Sequence, residues 1–379
     1  MTSTRDVSHD EFLLDPGIVM LNHASYGVTT RRVTTAAEAI RREIEADPIR
    51  RLGAELTPHL RARSDAFAVA LGLDPAVVTF CANATSGAAA VIDSVEVPEN
   101  ASVVVLDTEY SSIARAWELK CARSGAAFIR VPVPVPLRDT TSLIAALESA
   151  VPGDVAYLQM SVVSSSAALW LPVGEAAAWA RERGGHVILD AAHGPGHVPL
   201  APDAWGAAAM FGTVHKWYPT LRPVGLLWLG GMPADQVRPA EVSLTWDSAD
   251  LVERFSWPGT FDPVPRLGAG TALDQWRGWE SSGCLDDCRA LADLAGDLLT
   301  GIGGIPTGAP EFSPPRLRAF ILPGTSAALV KPALLESGIR AWAGRGPAGE
   351  CLVRVSTHVY NEPADIEVLV ARLREIIEG

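Results

Sequence analysis

Short apolar runs alternate with helical patterns between about residues 77 and 230, and this alternation restricts the fold more than any other feature of the sequence. Several runs are apolar on both faces, as strands are when helices cover both sides of a sheet. The runs are VVTF (77–80), SVVVLD (102–107), AFIRVPV (127–133), VAYLQM (155–160), HVILD (186–190), AAAMFG (207–212) and GLLWLG (225–230). Such alternation predicts an α/β fold with a mainly parallel, seven-stranded sheet between helices.

The pattern changes after about residue 260. Helical patterns dominate residues 268–300, and the segments RLRAFILPG and CLVRVST are typical of antiparallel strands. The last segment, PADIEVLVARLREIIEG, is an amphipathic helix with a proline in its first turn. We therefore predict a second, smaller α+β domain at the C-terminus. The predicted boundaries are 21–261 for the large domain and 262–379, joined by 1–20, for the small one.

Charge and hydropathy exclude two classes of partner. The net charge is −13, and the chain has no cluster of Lys and Arg interleaved with aromatic residues, so nucleic acid is not expected to bind. No apolar run reaches the roughly 18–20 residues of a membrane span. The N-terminal segment MTSTRDVSHDEF lacks the apolar core of a secretory signal, which predicts a cytoplasmic protein that begins near residue 1.

The five cysteines, Cys81, Cys121, Cys284, Cys288 and Cys351, are scattered and form no CxxC unit. This spacing predicts neither a disulfide framework nor a zinc site. Cys284 and Cys288 lie four residues apart on a predicted helix, but two thiols do not complete a tetrahedral site. We therefore expect no metal.

Two segments contain the residues with the clearest chemical role, ILDAAHGPGHVPL (188–200) and FGTVHKWYPTLRPVGLLWL (211–229). Asp190 ends an apolar strand, so its carboxylate is expected at the C-terminal edge of the sheet, where open α/β sheets bind ligands. Lys216 follows the next run and is expected at the same edge. A lysine can form an imine with an aldehyde cofactor while a carboxylate keeps a pyridine nitrogen protonated. Taken singly, a lysine is more often a surface residue and an aspartate after a strand is more often a cap.

Five motifs in the same order, from LNHASYG (21–27) to RVSTHVYNEPADI (354–366), resemble the class V aminotransferase family of fold-type-I enzymes. The resemblance is greatest to the branch of isopenicillin N epimerase-like proteins, and cysteine desulfurases are more distant. It implies a pyridoxal 5'-phosphate (PLP) cofactor attached to Lys216, with Asp190 beside its pyridine nitrogen.

The resemblance also implies a phosphate site. NATSG (83–87) follows a strand and opens a predicted helix, where free N–H groups and the helix dipole favour an anion. Thr85 and Ser86 in this turn are implied to hold the PLP phosphate, with Thr213 and His215 as further contacts. The alternative for the turn is an ordinary capped start of a helix.

Three further residues are implied to contact the cofactor. Tyr110 takes the position whose ring stacks on the pyridine face, where desulfurases have histidine. His193 takes the position that is hydrogen-bonded to the phenolic oxygen, and Ser165 stands where desulfurases often have asparagine. The resemblance gives no role to His197, which we expect to be structural.

The substrate site is implied by Arg354, which matches the arginine that grips the α-carboxylate of an amino acid. The alternative for Arg354 is an ion pair with Glu350 or Glu362, which are near in sequence. Asn22 and His23 match the N-terminal segment that borders the substrate pocket; here the alternative is a loop that hydrogen-bonds to itself.

WPGTFD (257–262) resembles the segment through which one subunit of the family reaches the phosphate of the other. Thr260 therefore implies a homodimer with active sites at the subunit interface.

One departure bears on the reaction. Desulfurases have a mobile cysteine on a loop of the small domain, whereas Cys351, the only thiol in the comparable stretch, lies at the start of the next strand. Desulfuration is therefore disfavoured.

The first hypothesis is β-elimination from an S-substituted cysteine, a C–S lyase reaction of sulfur or secondary metabolism. Epimerisation of an amino acid is second, and decarboxylation coupled to deamination, or transamination, comes next. A different class, a non-catalytic binding protein with the same fold, is disfavoured because Lys216 and Asp190 are both present.

Overall fold

The computed structural model describes residues 9–379. The strands in this range are β1 (Val19–Met20), β2 (Val78–Cys81), β3 (Ser102–Leu106), β4 (Ala127–Val131), β5 (Val155–Ser161), β6 (His186–Ala191), β7 (Ala207–Thr213), β8 (Gly225–Trp228), β9 (Ile305–Pro306), β10 (Leu317–Ile321), β11 (Ile339–Arg340), β12 (Trp342–Arg345) and β13 (Cys351–Ser356).

The helices of the same range begin and end as follows. They are α1 (His23–Tyr26), α2 (Arg31–Ala46), α3 (Pro48–Leu52), α4 (Leu56–Ala70), α5 (Ala84–Ser94), α6 (Ser111–Ser124), α7 (Thr140–Ala150), α8 (Val173–Glu182), α9 (Pro202–Trp205), α10 (Leu251–Ser256), α11 (Val264–Leu267), α12 (Ala269–Ser281), α13 (Cys284–Gly301), α14 (Ala327–Glu336) and α15 (Pro363–Glu378). None of them combines the length and the apolar character needed to cross a membrane.

The central sheet has seven strands in the order β2-β8-β7-β6-β5-β3-β4. The pairs from β7 to β4 are parallel, and β8 is antiparallel to both of its neighbours. The seven apolar runs of the sequence are these seven strands. The predicted fold class, a mainly parallel seven-stranded sheet between helices, is confirmed.

Side chains of adjacent residues enter two separate cores, one on each face of the sheet. Leu189 and Met210 pack in the larger core, whereas Ile188 and Phe211 pack in the core on the opposite face. All of these side chains are less than 2% exposed, which explains why β6 and β7 read as continuous apolar runs.

The C-terminal region contains a four-stranded antiparallel sheet in the order β12-β13-β10-β9. Its strands share a core with α13, α14 and α15. The predicted α+β character of this region is confirmed. Strand β1 pairs with β11, so residues 19–20 join the C-terminal region, while residues 1–8 of the predicted small domain lie outside the described part. The boundary at residue 262 stays a prediction.

Candidate active site

The carboxyl ends of the parallel strands border a cavity of about 340 Å³. Parallel strands end at the same edge of a sheet, so residues distant in sequence meet there. The residues that line the cavity are Ser25, Tyr26, Asn83, Ala84, Thr85, Tyr110, Ile113, Ser161, Val163, Ser165, Asp190, Ala192, His193, Thr213, His215, Lys216, Trp342 and Arg354. The cavity thus brings together most of the site residues predicted from the sequence.

Lys216 and Asp190 face this cavity from neighbouring strand ends. Asp190 is buried, and its Oδ1 accepts a hydrogen bond of 2.6 Å from the N–H of Ala192. Burial lowers the pKa of Lys216 to about 8, although the nearby Asp190 acts in the opposite direction. An amine with this pKa is partly unprotonated at neutral pH, as a nucleophile or a general base requires.

His193 and His215 flank the lysine as neutral rings. Nε2 of His193 lies 3.3 Å from Nζ of Lys216. Burial, followed by the charge of Lys216, holds the pKa of His193 well below its usual value. Burial also lowers the pKa of His215 to about 4, and its Nδ1 is held by the backbone of Val224.

The start of α5 provides the predicted phosphate turn. The side chain of Asn83 accepts a hydrogen bond from the N–H of Ser86, and the Ser86 hydroxyl donates to the Asn83 carbonyl. Thr85 lines the cavity, but the Ser86 side chain is engaged in this cap and does not. Thr213, also at the cavity, donates its hydroxyl proton to the carbonyl of Ala192 at 2.7 Å.

Arg354 lies on β13 and is 2% exposed. Among residues 9–379, the groups that hydrogen-bond to its guanidinium are all neutral. One of its terminal nitrogens donates to Ser165, through Oγ at 3.2 Å and also through the carbonyl oxygen. The other donates to Oδ1 of Asn22 at 3.0 Å and to Oγ of Ser25 at 2.9 Å. The Trp342 ring lies 5.3 Å from the guanidinium carbon. Burial lowers the pKa of Arg354 to about 10.

The sequence offered Glu350 and Glu362 as alternative partners of Arg354. Within residues 9–379, Arg354 forms no ion pair with either of them. Glu362 instead caps α15 together with Asp365. The buried guanidinium is therefore a cation without an anionic partner in the described chain, at the wall of a cavity.

Besides Ser86, three predicted residues do not line the cavity. Asn22 lies next to the cavity wall, where its Oδ1 accepts a hydrogen bond from Arg354. His23 is buried behind the site, where its ring stacks on His358 at 3.8 Å and its Nδ1 lies 2.9 Å from the Tyr360 hydroxyl. Thr260 is exposed on the surface, outside the cavity of its own chain.

The sequence analysis missed several residues near the site, among them Tyr26, Trp342, Ser161 and Glu109. Tyr26 and Trp342 line the cavity, but each reaches it through long-range contacts that a sequence pattern does not reveal. Ser161 and Glu109 could have been predicted from the sequence. Ser161 ends the apolar strand β5 and Glu109 follows the apolar strand β3, at the same sheet edge as Asp190.

Gly27 explains how Tyr26 comes to lie beside the lysine. It has φ +70°, and an added Cβ would lie 1.9 Å from the carbonyl oxygen of His215. A residue without a side chain therefore allows the N-terminal segment to touch the backbone next to Lys216.

The donors of the cavity fit a phosphorylated pyridine aldehyde. Lys216 supplies the amine, Asp190 the carboxylate for a ring nitrogen, and Thr85 lies at a helix N-terminus that favours a phosphate. The sequence profile of the class V aminotransferase family matches residues 22–369. The chain belongs to the class V aminotransferase family. It is therefore an enzyme, and its cofactor is PLP.

Relatives within this family catalyse different reactions. The chain is 28% identical over 392 residues to the isopenicillin N epimerase of Amycolatopsis lactamdurans, covering 97% of this chain and 98% of that protein. It is 28% identical over 221 residues to a putative L-cysteine desulfhydrase of Oryza sativa subsp. japonica, covering 54% and 45%.

A solved structure supports the fold assignment. The cystine C–S lyase C-DES, solved with its reaction product cysteine persulfide, superposes with a TM-score of 0.79 at 19% identity, over 94% of this chain and 97% of that one. Similarity at this identity shows the shared fold.

Proposed function

We propose that this enzyme is a C–S lyase that removes the β-substituent of an S-substituted cysteine. The observation that carries the amino-acid part is Arg354, a buried cation whose described partners are all neutral, in the same cavity as Lys216. A guanidinium in this setting gains most from a carboxylate, which it can hold by two parallel hydrogen bonds.

Lys216 is the residue suited to move the α-proton of the substrate. When bound, PLP withdraws electrons from the α-carbon of an amino acid and so weakens the bonds to that carbon. Lys216, with its pKa lowered to about 8, has the amine available to take the proton, and His193 lies within 3.3 Å of the same nitrogen. Arg354 fixes the carboxylate and thereby the orientation of the α-carbon.

The cavity favours elimination over sulfur transfer. No cysteine of the described chain lines it, and Cys351 is buried in β13 opposite Arg345. Without a thiol to take up sulfur, the substrate's sulfur leaves as a thiol that keeps its substituent. With one water consumed, the other products are pyruvate and ammonia, which balances the atoms. The names of the C–S lyase and cysteine desulfhydrase relatives agree with this reaction class.

The remaining cavity wall favours a substituent without charge. The charged groups of the wall already have proposed partners: the cofactor for Asp190 and Lys216, and the substrate carboxylate for Arg354. Trp342 and Tyr26, which is 73% exposed, line the open side with apolar and phenolic surface. We propose that an apolar S-alkyl or S-aryl group packs on these two rings.

Epimerisation is a second candidate, because the similarity to isopenicillin N epimerase extends over 97% of this chain. It would require a second group that returns a proton to the opposite face of the α-carbon. Tyr110 has a hydroxyl at the position where desulfurases have histidine.

A product screen with the PLP-loaded enzyme separates these reactions. S-benzyl-L-cysteine is incubated in D₂O and scored for thiol, pyruvate, ammonia, carbon dioxide and the D-enantiomer. Equal amounts of thiol, pyruvate and ammonia support the proposal. Inversion with deuterium at the α-carbon and no pyruvate would establish the epimerase instead. The Lys216→Ala variant, treated in the same way, controls for uncatalysed decay.

A further inference from the structure

Glu109 is a buried carboxyl group that the proposed reaction does not use. It is 4% exposed and follows β3 at the same sheet edge as Asp190. Its Oε1 accepts hydrogen bonds from Oγ of Ser161 at 2.7 Å and from the N–H of Tyr110 at 2.8 Å. Its Oε2 accepts one from Nε2 of Gln159 at 3.2 Å.

These hydrogen bonds join two residues of the cavity wall. Tyr110 immediately precedes α6 and is 53% exposed. Because Glu109 accepts the hydrogen bond from its N–H, Glu109 holds the turn that places Tyr110. Ser161 lines the cavity from β5 and is paired with Asp190 on β6. Gln159, which supports Glu109, is itself fixed by the indole N–H of Trp117 at 3.0 Å.

Glu109 also lies within electrostatic reach of Asp190. The pKa of Glu109 is raised to about 8, mainly by burial and secondly by the negative charge of Asp190. The groups around the Glu109 carboxyl come from three described elements. Strand β6 contributes the charged Asp190, and β5 contributes the neutral Ser161 and Gln159. Helix α6 contributes Trp117, which hydrogen-bonds to Gln159. A group in this environment can change its charge near neutral pH.

We propose that Glu109 is a positioning residue that fixes Tyr110 and Ser161 beside the cofactor ring and adjusts the electrostatics of Asp190 through its own charge. Asp190 and Lys216 remain the groups that face the cofactor. The inference rests on the PLP cofactor and not on which reaction the enzyme catalyses.

The Glu109→Gln variant keeps the size of the side chain and removes its negative charge. The matched control is Glu118→Gln, on α6, whose carboxylate pairs with Arg115 at the surface. Each PLP-loaded protein is titrated from pH 6 to 10 by visible absorbance, and its PLP affinity is measured by equilibrium dialysis.

Loss of a negative charge near Asp190 should lower the pH midpoint of the visible band by roughly half a unit to one unit in Glu109→Gln. Glu118→Gln should match the wild type. A midpoint and a PLP affinity that are both unchanged in Glu109→Gln would overturn the inference, whatever substrate the enzyme uses.

Ser161→Ala provides a second test if Glu109→Gln does not fold. The Ser161 hydrogen bond lowers the pKa of Glu109, so its loss should delay the ionisation of Glu109 to higher pH. With Glu109 neutral over more of the titration, the midpoint of the band should fall, as in Glu109→Gln but by less. A midpoint that rises or stays constant in Ser161→Ala would contradict the inference.

Discussion

Nζ of Lys216 and Nε2 of His193 lie 3.3 Å apart, at the ends of two neighbouring strands of the central sheet. Burial lowers the pKa of both groups. At neutral pH the imidazole is therefore uncharged, and a fraction of the lysine amine is unprotonated. Nδ1 of His193 is buried and has no hydrogen-bond partner within residues 9–379. The neutral imidazole and the lysine amine are within hydrogen-bond reach of each other.

Covalent attachment of PLP can be assigned to one lysine, because the chain has only Lys120, Lys216 and Lys331. Borohydride reduction and peptide mapping should place the pyridoxyl group on Lys216, the one lysine at the cavity. Lys216→Ala should lose the visible band, and Lys331→Ala, a surface control, should keep it. Label on Lys120 or Lys331 in a PLP-loaded sample would contradict the assignment.

Arg354→Lys keeps the positive charge but loses the planar fork that holds a carboxylate. Charge-assisted hydrogen bonds are worth about 1.5–3 kcal/mol, so kcat/KM should fall by about ten- to a hundredfold on the substrate that the screen identifies. The visible spectrum of the cofactor should not change. Arg345→Lys, an exposed change on the adjacent strand β12, is the control.

An Arg354→Lys enzyme with full efficiency would mean that the carboxylate is held elsewhere or that the substrate has none. In that case the amino-acid substrate would be abandoned and the PLP cofactor retained.

Thr260 tests the proposed homodimer. Its side chain is exposed and lies outside the cavity of its own chain, as expected for a residue that contacts a neighbouring subunit. Sedimentation should give twice the 40.1 kDa of the chain. Thr260→Ala should weaken PLP binding, whereas Thr300→Ala, at the exposed end of α13, should not. A monomer that keeps PLP fully bound at micromolar concentration would refute the dimer.

The sequence revealed those parts of the site that follow directly from strand ends. Asp190 and Lys216 were visible because an apolar run precedes each of them, and parallel strands place such residues at one edge. The setting of Arg354 could not be predicted, because it depends on the pairing of β12 with β13 and on contacts with Asn22, more than 300 residues away. The sequence did not reveal that His23 packs behind the site, whereas the capped start of α5 was one of the two alternatives that it offered for the NATSG turn.

The last prediction concerns stability in acid. Burial lowers the pKa of five histidines, which are His23, His193, His197, His215 and His358. The unfolded chain releases these protons near pH 6.5, whereas folded His215 and His358 hold them only below about 4 and about 3. Between these values the unfolded state binds more protons, so the free energy of unfolding should fall as the pH drops below 6.5.

Glu109 acts in the opposite direction. Its pKa of about 8 lets the folded state keep a proton that the unfolded state loses above about 4.5, so it stabilises the fold toward lower pH. Asp65, Asp107 and Asp190 act in the same direction as Glu109, because burial raises the pKa of each. Five imidazoles oppose these four carboxyls, and Tm measured by circular dichroism should decrease between pH 7 and pH 4.5. His358→Gln should flatten the decrease, since it removes one buried imidazole, while His186→Gln, at an exposed site, should leave it unchanged. A Tm that is constant over this range would show that the buried histidines are not the groups that titrate on unfolding.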